Sequence, residues 1–266
     1  MYQTTYIRAG SLAEAQHLLH DNPEAKLISG GQTLVPTLRQ RLARPSHVID
    51  IAHLAGLRGL SQEGDRVVIG AATTHAEVAA SDLVRQKIPG LAKLAGLIGD
   101  PPVRHLGTIG GSIANNDPAA DYPAALVALG ATVKTNKRSI AADDFFKGLF
   151  TTALEDGELI TQVAFPIPAK AGYAKMRHPA SRFALTGVFA VKTKAGDVRV
   201  AATGAFQSGV ARVGAIEAAL KTNWAASALD GVTVSADGLM TDIHAAADYR
   251  ANLIKVMAQR AVQAAG

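Results

Sequence analysis

Two glycine turns carry most of the information in this sequence: residues 26–36, KLISGGQTLVP, and residues 108–118, TIGGSIANNDP. Each is predicted to be a strand that runs into a Gly-Gly turn, with helix-compatible sequence soon after. Because glycine has no Cβ, such a turn can take positive φ angles and bring its backbone close to a ligand. Its amides, together with those of a following helix N-terminus, suit a phosphate. Two turns of this kind predict a site for the two phosphates of one dinucleotide.

The common nucleotide fingerprints do not occur in the sequence. It contains neither Gly-x-Gly-x-x-Gly nor Gly-x-x-x-x-Gly-Lys-(Ser/Thr), so a dinucleotide would not lie on a Rossmann unit or a P-loop. Residues 110–114 narrowly miss a nucleophile elbow because Ala114 stands at the last glycine position, and Ser112 is interpreted as a phosphate or ribose donor. A single Gly-Gly turn is usually structural, but two turns with matching flanks favour ligand binding.

Both turns resemble loops of the flavoprotein (medium) subunit of the molybdenum hydroxylases, the xanthine dehydrogenase and carbon monoxide dehydrogenase family. The first is similar to the family's Gly-Gly-(Gln/His)-Ser-Leu-x-Pro flavin loop, with Thr33 in place of the usual serine. The second is similar to Thr-Ile-Gly-Gly-(Ser/Asn), followed by an Asp-Pro-x-x-Asp-x-Pro stretch at residues 117–123. Residues 204–210 and 249–253 resemble the family's C-terminal domain, so the resemblance covers nearly the whole chain.

The resemblance implies an α+β fold. Residues 1–168 are expected to form two small α+β subdomains that clasp FAD, in the fold shared with vanillyl-alcohol-oxidase-type flavoenzymes. Residues 173–266 are expected to form a small C-terminal α+β domain of the carbon monoxide dehydrogenase flavoprotein type, with a sheet and helices. The composition of residues 166–172, which is rich in Pro and Gly, separately predicts a linker between the two domains.

The resemblance also implies which residues bind FAD. In the two turns these are Ser29, Gly30, Gly31, Gln32, Thr33, Leu34, Thr108, Ile109, Gly110, Gly111 and Ser112. Asp121 is expected to bind the ribityl or adenosine side, and Asp117 is expected to be structural. Lys175 resembles a family lysine near the isoalloxazine, where a cation would stabilise reduced flavin; a solvated strand lysine fits its position equally well. His105 and Arg104 either approach the flavin or are simply solvated loop residues.

The implied function is electron transfer within a larger complex. A molybdopterin-binding large subunit would oxidise the substrate, a small subunit would pass electrons through [2Fe–2S] clusters, and this chain would receive them on FAD and deliver them to an external acceptor. The expected assembly is a dimer of such heterotrimers. The chain has no cysteine, which excludes a thiolate-held cluster, a thiolate zinc site and a disulfide on this polypeptide. The alternatives are a self-contained FAD-dependent oxidase or reductase and a cofactor-free binding module.

Composition and charge disfavour several other functions. The net charge of +5 comes from scattered Lys and Arg, and only 5% of residues are aromatic, so nucleic-acid binding is not expected. No apolar stretch has the length of a membrane span or of a signal peptide core, which predicts a cytoplasmic protein. His17 and His20 have a helical spacing but no third ligand, so no metal site is predicted. Hydrolysis by paired carboxylates at Asp117 and Asp121 is disfavoured because helix capping by Asp117 and binding of a cofactor hydroxyl by Asp121 account for both residues.

Local patterns predict the elements around these motifs. Ser11 and Glu14 form a capping box that opens a helix through about His20. Asp117 and Pro118 have the residue types of a helix N-cap and first position, leading into residues 124–129. The other predicted helices are 33–42, 77–84, 88–97, 210–220 and 244–263, and the predicted strands are 26–29, 48–51, 66–70, 130–134, 184–193 and 198–206.

Overall fold

The computed structural model describes residues 1–265, and its first sheet carries the first glycine turn. The three-stranded parallel sheet has the order β1-β3-β2. Its strands are β1 (Thr5–Arg8), β2 (Lys26–Ile28) and β3 (His47–Asp50), and its helices are α1 (Leu12–Asp21) and α2 (Leu34–Arg39). The hydroxyl of Ser11 accepts a hydrogen bond from the Glu14 amide at 3.1 Å, which confirms the predicted start of α1. Because parallel strands end at one edge, the turn after β2 lies at the carboxyl edge of this sheet.

A second, five-stranded antiparallel sheet has the order β4-β5-β10-β6-β7. Its strands are β4 (Leu60–Glu63), β5 (Arg66–Gly70), β6 (Thr132–Thr135), β7 (Ser139–Ala141) and β10 (Ile160–Pro166). Two further strands, β8 (Phe146–Gly148) and β9 (Thr151–Thr152), form a separate small hairpin. The helices that accompany it are α3 (His75–Ala80), α4 (Asp82–Lys87), α5 (Pro89–Gly96), α6 (Pro101–Leu106), α7 (Ile109–Asn115), α8 (Tyr122–Leu129) and α9 (Ala142–Phe145). Every residue of α8 is buried, because this helix lies between the second sheet and the third.

A four-stranded antiparallel sheet forms the rest of the chain, in the order β11-β12-β13-β14. Its elements are β11 (Lys170–Arg177), β12 (Ala184–Lys192), β13 (Val198–Phe206), β14 (Gly209–Arg212), α10 (Gly214–Thr222) and α11 (Ala247–Ala264). Tyr173 and Phe189 belong to the hydrophobic core that contains α8, whereas Val188 packs in a separate core with α11. The sheet is therefore buried on both faces. Gly266, the last residue of the predicted second domain, lies outside the described residues.

The mixed helix and strand content confirms the predicted α+β class. The prediction of a strand before the second turn is wrong, because residues 101–106 form α6. Asp100 starts this helix by accepting a hydrogen bond from the Val103 amide at 3.0 Å, with proline in the first turn. Gly110 and Gly111 consequently lie within the first turn of α7, not in a loop after a strand.

Other local predictions also need correction. Asp117 caps no helix; its carboxylate accepts a hydrogen bond from the Ala119 amide at 2.8 Å, and α8 begins only at Tyr122. The helix predicted for residues 210–220 begins at Gly214 because β14 occupies its first residues. Residues 167–169 alone separate β10 from β11, so the connection is shorter than the predicted linker. None of the helices within residues 1–265 combines the length and the apolar character needed to cross a bilayer.

Candidate functional site

The first glycine turn presents a run of backbone donors that have no partner in the protein. It connects the carboxyl end of β2 to α2, and Gly31 takes a left-handed φ of 68°. Within residues 1–265, the amides of Gly30, Gly31, Gln32, Thr33 and Leu34 donate to no backbone carbonyl or side chain. Successive free amides of this kind form a concave site of positive potential. The turn therefore offers an anion several hydrogen bonds without displacing any that the fold uses.

Side chains of the same turn add to this set of donors. The hydroxyl of Ser29 is buried and has no hydrogen-bond partner among the described residues. A buried hydroxyl left unpaired costs free energy, and a ligand or an ordered water would satisfy it. Gln32 folds back, its Nε2 donating to the carbonyl of Gly30 at 3.1 Å. The residues present therefore fit a diphosphate.

The second glycine turn uses its amides inside the protein. The Ile109 amide donates to the carbonyl of Thr73 at 3.1 Å, and the Gly110 amide donates to the carbonyl of Ala71 at 2.8 Å. The Gly111 amide donates to the hydroxyl of Thr108, the N-cap of α7, at 3.2 Å. The amides of this turn are thus bonded to the segment that follows β5 or to the cap of α7.

Close packing explains the glycine at position 110. A Cβ built there would lie 2.7 Å from the carbonyl oxygen of Ala71, a contact that real side chains do not make. Gly111 is exposed, and a Cβ there would meet only the Thr108 hydroxyl, at 3.0 Å. The amide of Thr108 and the hydroxyl of Ser112 have no hydrogen-bond partner within residues 1–265, so they are the donors that this turn leaves available.

The two turns meet at one point, as a joint site requires. Gly30 packs directly on the backbone of Leu106 and Gly107, the residues that lead into the second turn. A Cβ on Gly30 would lie 2.7 Å from the Cα of Gly107. The fold therefore brings the first turn against the residues that lead into the second, although the two are far apart in the sequence.

The fold places Asp121 and Lys175 in direct contact. Lys175 Nζ lies 2.9 Å from Asp121 Oδ1 and 3.0 Å from Oδ2, and the Tyr173 hydroxyl also donates to this carboxylate. The Lys175 side chain has no exposed surface, so the interpretation of a solvated strand lysine is wrong. Burial raises the pKa of Asp121, while the charge on Lys175 opposes that rise. The pair joins the N-terminus of α8 to β11, and a contact of either residue with a flavin stays a prediction.

The remaining candidates make local contacts. Arg104 Nη1 donates to the carbonyl of Ile98 at 2.9 Å, and His105 Nδ1 lies 2.8 Å from the carbonyl oxygen of Pro101. His17 pairs on the surface with Asp21, four residues along α1. Within residues 1–265, no group of three or more His, Cys, Asp and Glu side chains is arranged to hold a metal ion.

Sequence analysis missed His75, which lies beside the point where the turns meet. It is the first residue of α3 and is 5% exposed, with its ring centroid 5.4 Å from that of Tyr122. Burial, and secondarily the charge of Arg104, lowers the pKa of His75 to about 4. The capping box of Thr74 and Glu77 was readable as a helix start, but nothing local indicated that the histidine after it would be buried beside Gly107.

Comparison with known proteins gives a consistent result. Residues 2–168 match the sequence profile described as the FAD binding domain in molybdopterin dehydrogenase. The carbon monoxide dehydrogenase medium chain of Afipia carboxidovorans is 34% identical over 284 aligned residues, covering 98% of this chain and 96% of that one. The nicotine 6-hydroxylase medium subunit of Paenarthrobacter nicotinovorans is 34% identical, with 98% and 96% covered. A solved structure of reconstituted carbon monoxide dehydrogenase from Oligotropha carboxidovorans superposes with a TM-score of 0.89 at 31% identity, covering 99% of this chain and 97% of the other.

Proposed function

This chain belongs to the FAD-binding family of the molybdopterin dehydrogenases, and from that premise we propose that it carries electrons from a partner subunit to an external acceptor. The comparisons confirm the predicted family, the cofactor FAD and membership of an oxidoreductase. The direction of electron flow, the donor and the acceptor belong to the proposal. FAD, when bound, supplies a carrier that can exchange electrons singly with a cluster and in pairs with an acceptor.

The observation that supports the binding site best is the run of free amides from Gly30 to Leu34. We propose that these amides hold one part of the diphosphate and that the Ser29 hydroxyl, otherwise unpaired, donates to the same group. The left-handed φ of Gly31 is a backbone conformation that lets successive amides turn toward one centre. The second turn would contribute the Thr108 amide and the Ser112 hydroxyl from the other side of the contact between Gly30 and Gly107.

The buried pair would act beside this site rather than as two separate ligands. Lys175 keeps Asp121 in a fixed orientation and supplies a compensating charge. We propose that a cofactor hydroxyl donates to Asp121, as predicted from the sequence, while Lys175 stays paired with that carboxylate and acts through it. A carboxylate has enough lone pairs to accept from three donors at once.

The partner assignment extends the family membership. We propose that a [2Fe–2S] subunit, which receives electrons from a molybdopterin-binding subunit, passes them to this chain; without cysteine the chain cannot itself hold a thiolate-ligated cluster. Two relatives are named as medium chains or subunits, which supports a three-subunit unit, and we propose a dimer of such heterotrimers. We further propose a domain boundary between residues 168 and 173, and the cytoplasmic location stays a prediction.

Titration of the apoprotein with flavins tests the site. FAD should bind, FMN should bind much more weakly because it has only one phosphate, and ADP should compete with FAD. Comparable affinities for FAD and FMN would contradict a site built around the diphosphate. Flavin fluorescence quenching and calorimetry give the affinities independently of any turnover.

Reduction of the bound flavin tests the electron-transfer role. Dithionite should bleach the flavin absorbance of the isolated chain, whereas aldehydes, purines and carbon monoxide should leave it oxidised. The native complex with its cluster and molybdenum subunits should be bleached by its own substrate. Rapid bleaching of the isolated chain by such a substrate would favour a self-contained oxidase instead.

A further inference from the structure

His75 lies against the backbone that separates the two turns. Its backbone amide donates to the carbonyl of Gly107 at 2.9 Å. A Cβ on Gly107 would lie 2.7 Å from His75 Nε2. Gly107 in turn is the residue on which Gly30 packs. The imidazole edge that carries Nε2 therefore lies against Gly107, the same residue on which the first turn packs.

The surroundings of the ring fix its charge and its tautomer. His75 stays neutral at physiological pH because burial lowers its pKa to about 4. Its Nδ1 atom is fully buried without a hydrogen-bond partner among the described residues. An orphaned buried N–H is rarer than an under-used acceptor, so the proton belongs on Nε2. A neutral ring then has one N–H donor, on the edge that faces the turns.

We propose that His75 is a further cofactor-binding residue, which donates a hydrogen bond from Nε2 to the diphosphate side of FAD where the two turns meet. The inference rests on the proposed function, because it needs the diphosphate to lie at this junction. It adds a neutral side-chain donor to a set that otherwise consists of backbone amides and hydroxyls. Since His75 is already neutral, its contribution would not change between pH 6 and 8.

Variants at two neighbouring rings provide the test. His75→Phe keeps an aromatic ring against Tyr122 but removes the donor, whereas His75→Gln places an amide N–H close to the position of Nε2. The apoprotein of each variant is titrated with FAD after its thermal unfolding has been recorded. His75→Phe should bind FAD roughly 10- to 100-fold more weakly, the size expected for a hydrogen bond to a charged group. His75→Gln should stay within about threefold of the wild type.

Tyr122→Phe is the matched control, because the hydroxyl of Tyr122 is also buried and unpaired and lies on the partner ring. It should leave the affinity for FAD unchanged. Equal weakening by Tyr122→Phe and His75→Phe would overturn the inference, since it would trace the effect to packing of the ring pair. Wild-type affinity in a folded His75→Phe variant would overturn it as well.

The imidazole itself gives a readout independent of the variants. In protein labelled with ¹⁵N at histidine, His75 should be the Nε2–H tautomer, and its Nε2 proton should shift downfield when FAD is added. An Nδ1–H tautomer, or a resonance that FAD does not move, would overturn the inference. If wild-type protein binds no FAD at all, the proposed function fails, and that result is distinct from FAD binding that does not depend on His75.

Discussion

The two glycine turns look alike in sequence and differ in what their amides do. In residues 30–34 the amides have no acceptor among the described residues. In the second turn the amides of Ile109, Gly110 and Gly111 are bonded to Thr73, Ala71 and the Thr108 hydroxyl. The same Gly-Gly pair is thus suited to ligand binding in one place and to packing in the other. A glycine pair allows another group to come close to the backbone, and the surrounding structure decides whether that group is a ligand or another part of the protein.

The surroundings differ because the turns follow different elements. The first follows a strand of a parallel sheet, where the chain leaves the carboxyl edge and has no neighbouring strand to bond. The second follows α6 and runs beside the segment after β5, where Thr108 forms an isolated bridge with Thr74. Beyond it, the segment that leads to α8 is fixed to the third sheet by Asp121. The first turn is therefore on a surface, and the second is part of the framework.

Removing the lysine of the buried pair should have the largest effect on stability. Lys175→Met leaves the Asp121 carboxylate buried without its counter-charge, which should lower the free energy of unfolding by about 3–5 kcal/mol. Chemical denaturation monitored by circular dichroism measures this loss. Lys170→Met is the control, because Lys170 is exposed on the same strand and should cost little. Equal stability of the two variants would show that the pair does not anchor the segment after the second turn.

Acid should destabilise the framework around the second turn through His75. Its pKa of about 4 in the folded protein lies below the ordinary histidine value of 6.5, so the unfolded chain takes up the proton first as the pH falls. The stability contributed by the neutral ring is complete above pH 6.5 and should decline by about 3 kcal/mol toward pH 4. Denaturation curves of the wild type and His75→Gln across this range isolate the effect. Parallel pH profiles of the two proteins would contradict a buried neutral histidine.

The neighbouring glycines of the second turn should respond differently to alanine. Gly110→Ala places a methyl group against the carbonyl of Ala71 and should destabilise the protein by about 1–3 kcal/mol. Gly111→Ala adds the same group at an exposed helical position and should change stability by less than about 0.5 kcal/mol. Thermal unfolding of the two variants makes the comparison. A larger loss for Gly111→Ala would mean that the second turn does not pack as described.

The sequence predicted the elements that have local signals and the features that the family resemblance implies. The strand before Gly30 was predicted correctly because it is a short apolar run that ends at a glycine pair. The helix α6 was missed because two prolines suggest a break, although Asp100 before them is a good N-cap and proline is favoured in a first helical turn. The family, the α+β class and FAD followed from the resemblance, and the comparisons confirm them.

Contacts between residues that are distant in the chain could not be predicted from the sequence. Asp121 and Lys175 were both singled out, but 54 residues separate them, and no periodicity indicates that β11 would place one against the other. Nor could the sequence predict that the amides of the first turn are free while those of the second are bonded within the protein. Whether the Gly110 amide is free depends on Ala71, which lies in the segment after β5. Such contacts arise from tertiary packing and have no local signature.

A single methyl group added at Gly31 is the sharpest test of the first turn. Gly31 and Gly64 both have a left-handed φ, 68° and 57°, and neither has backbone atoms of the protein close to the position of a Cβ. Alanine at either position should cost about 1–2 kcal/mol of stability through the backbone, and at Gly31 the new Cβ would also press on the side chains of Val35 and Ile28, at 3.1 and 3.2 Å. Only Gly31→Ala should also weaken FAD binding, by roughly 10-fold, because a shift in φ turns the free amides away from their common centre. Flavin titration of both variants separates the two effects. Equal weakening in both would mean that affinity follows overall stability, and unchanged affinity in both would remove the diphosphate from the first turn.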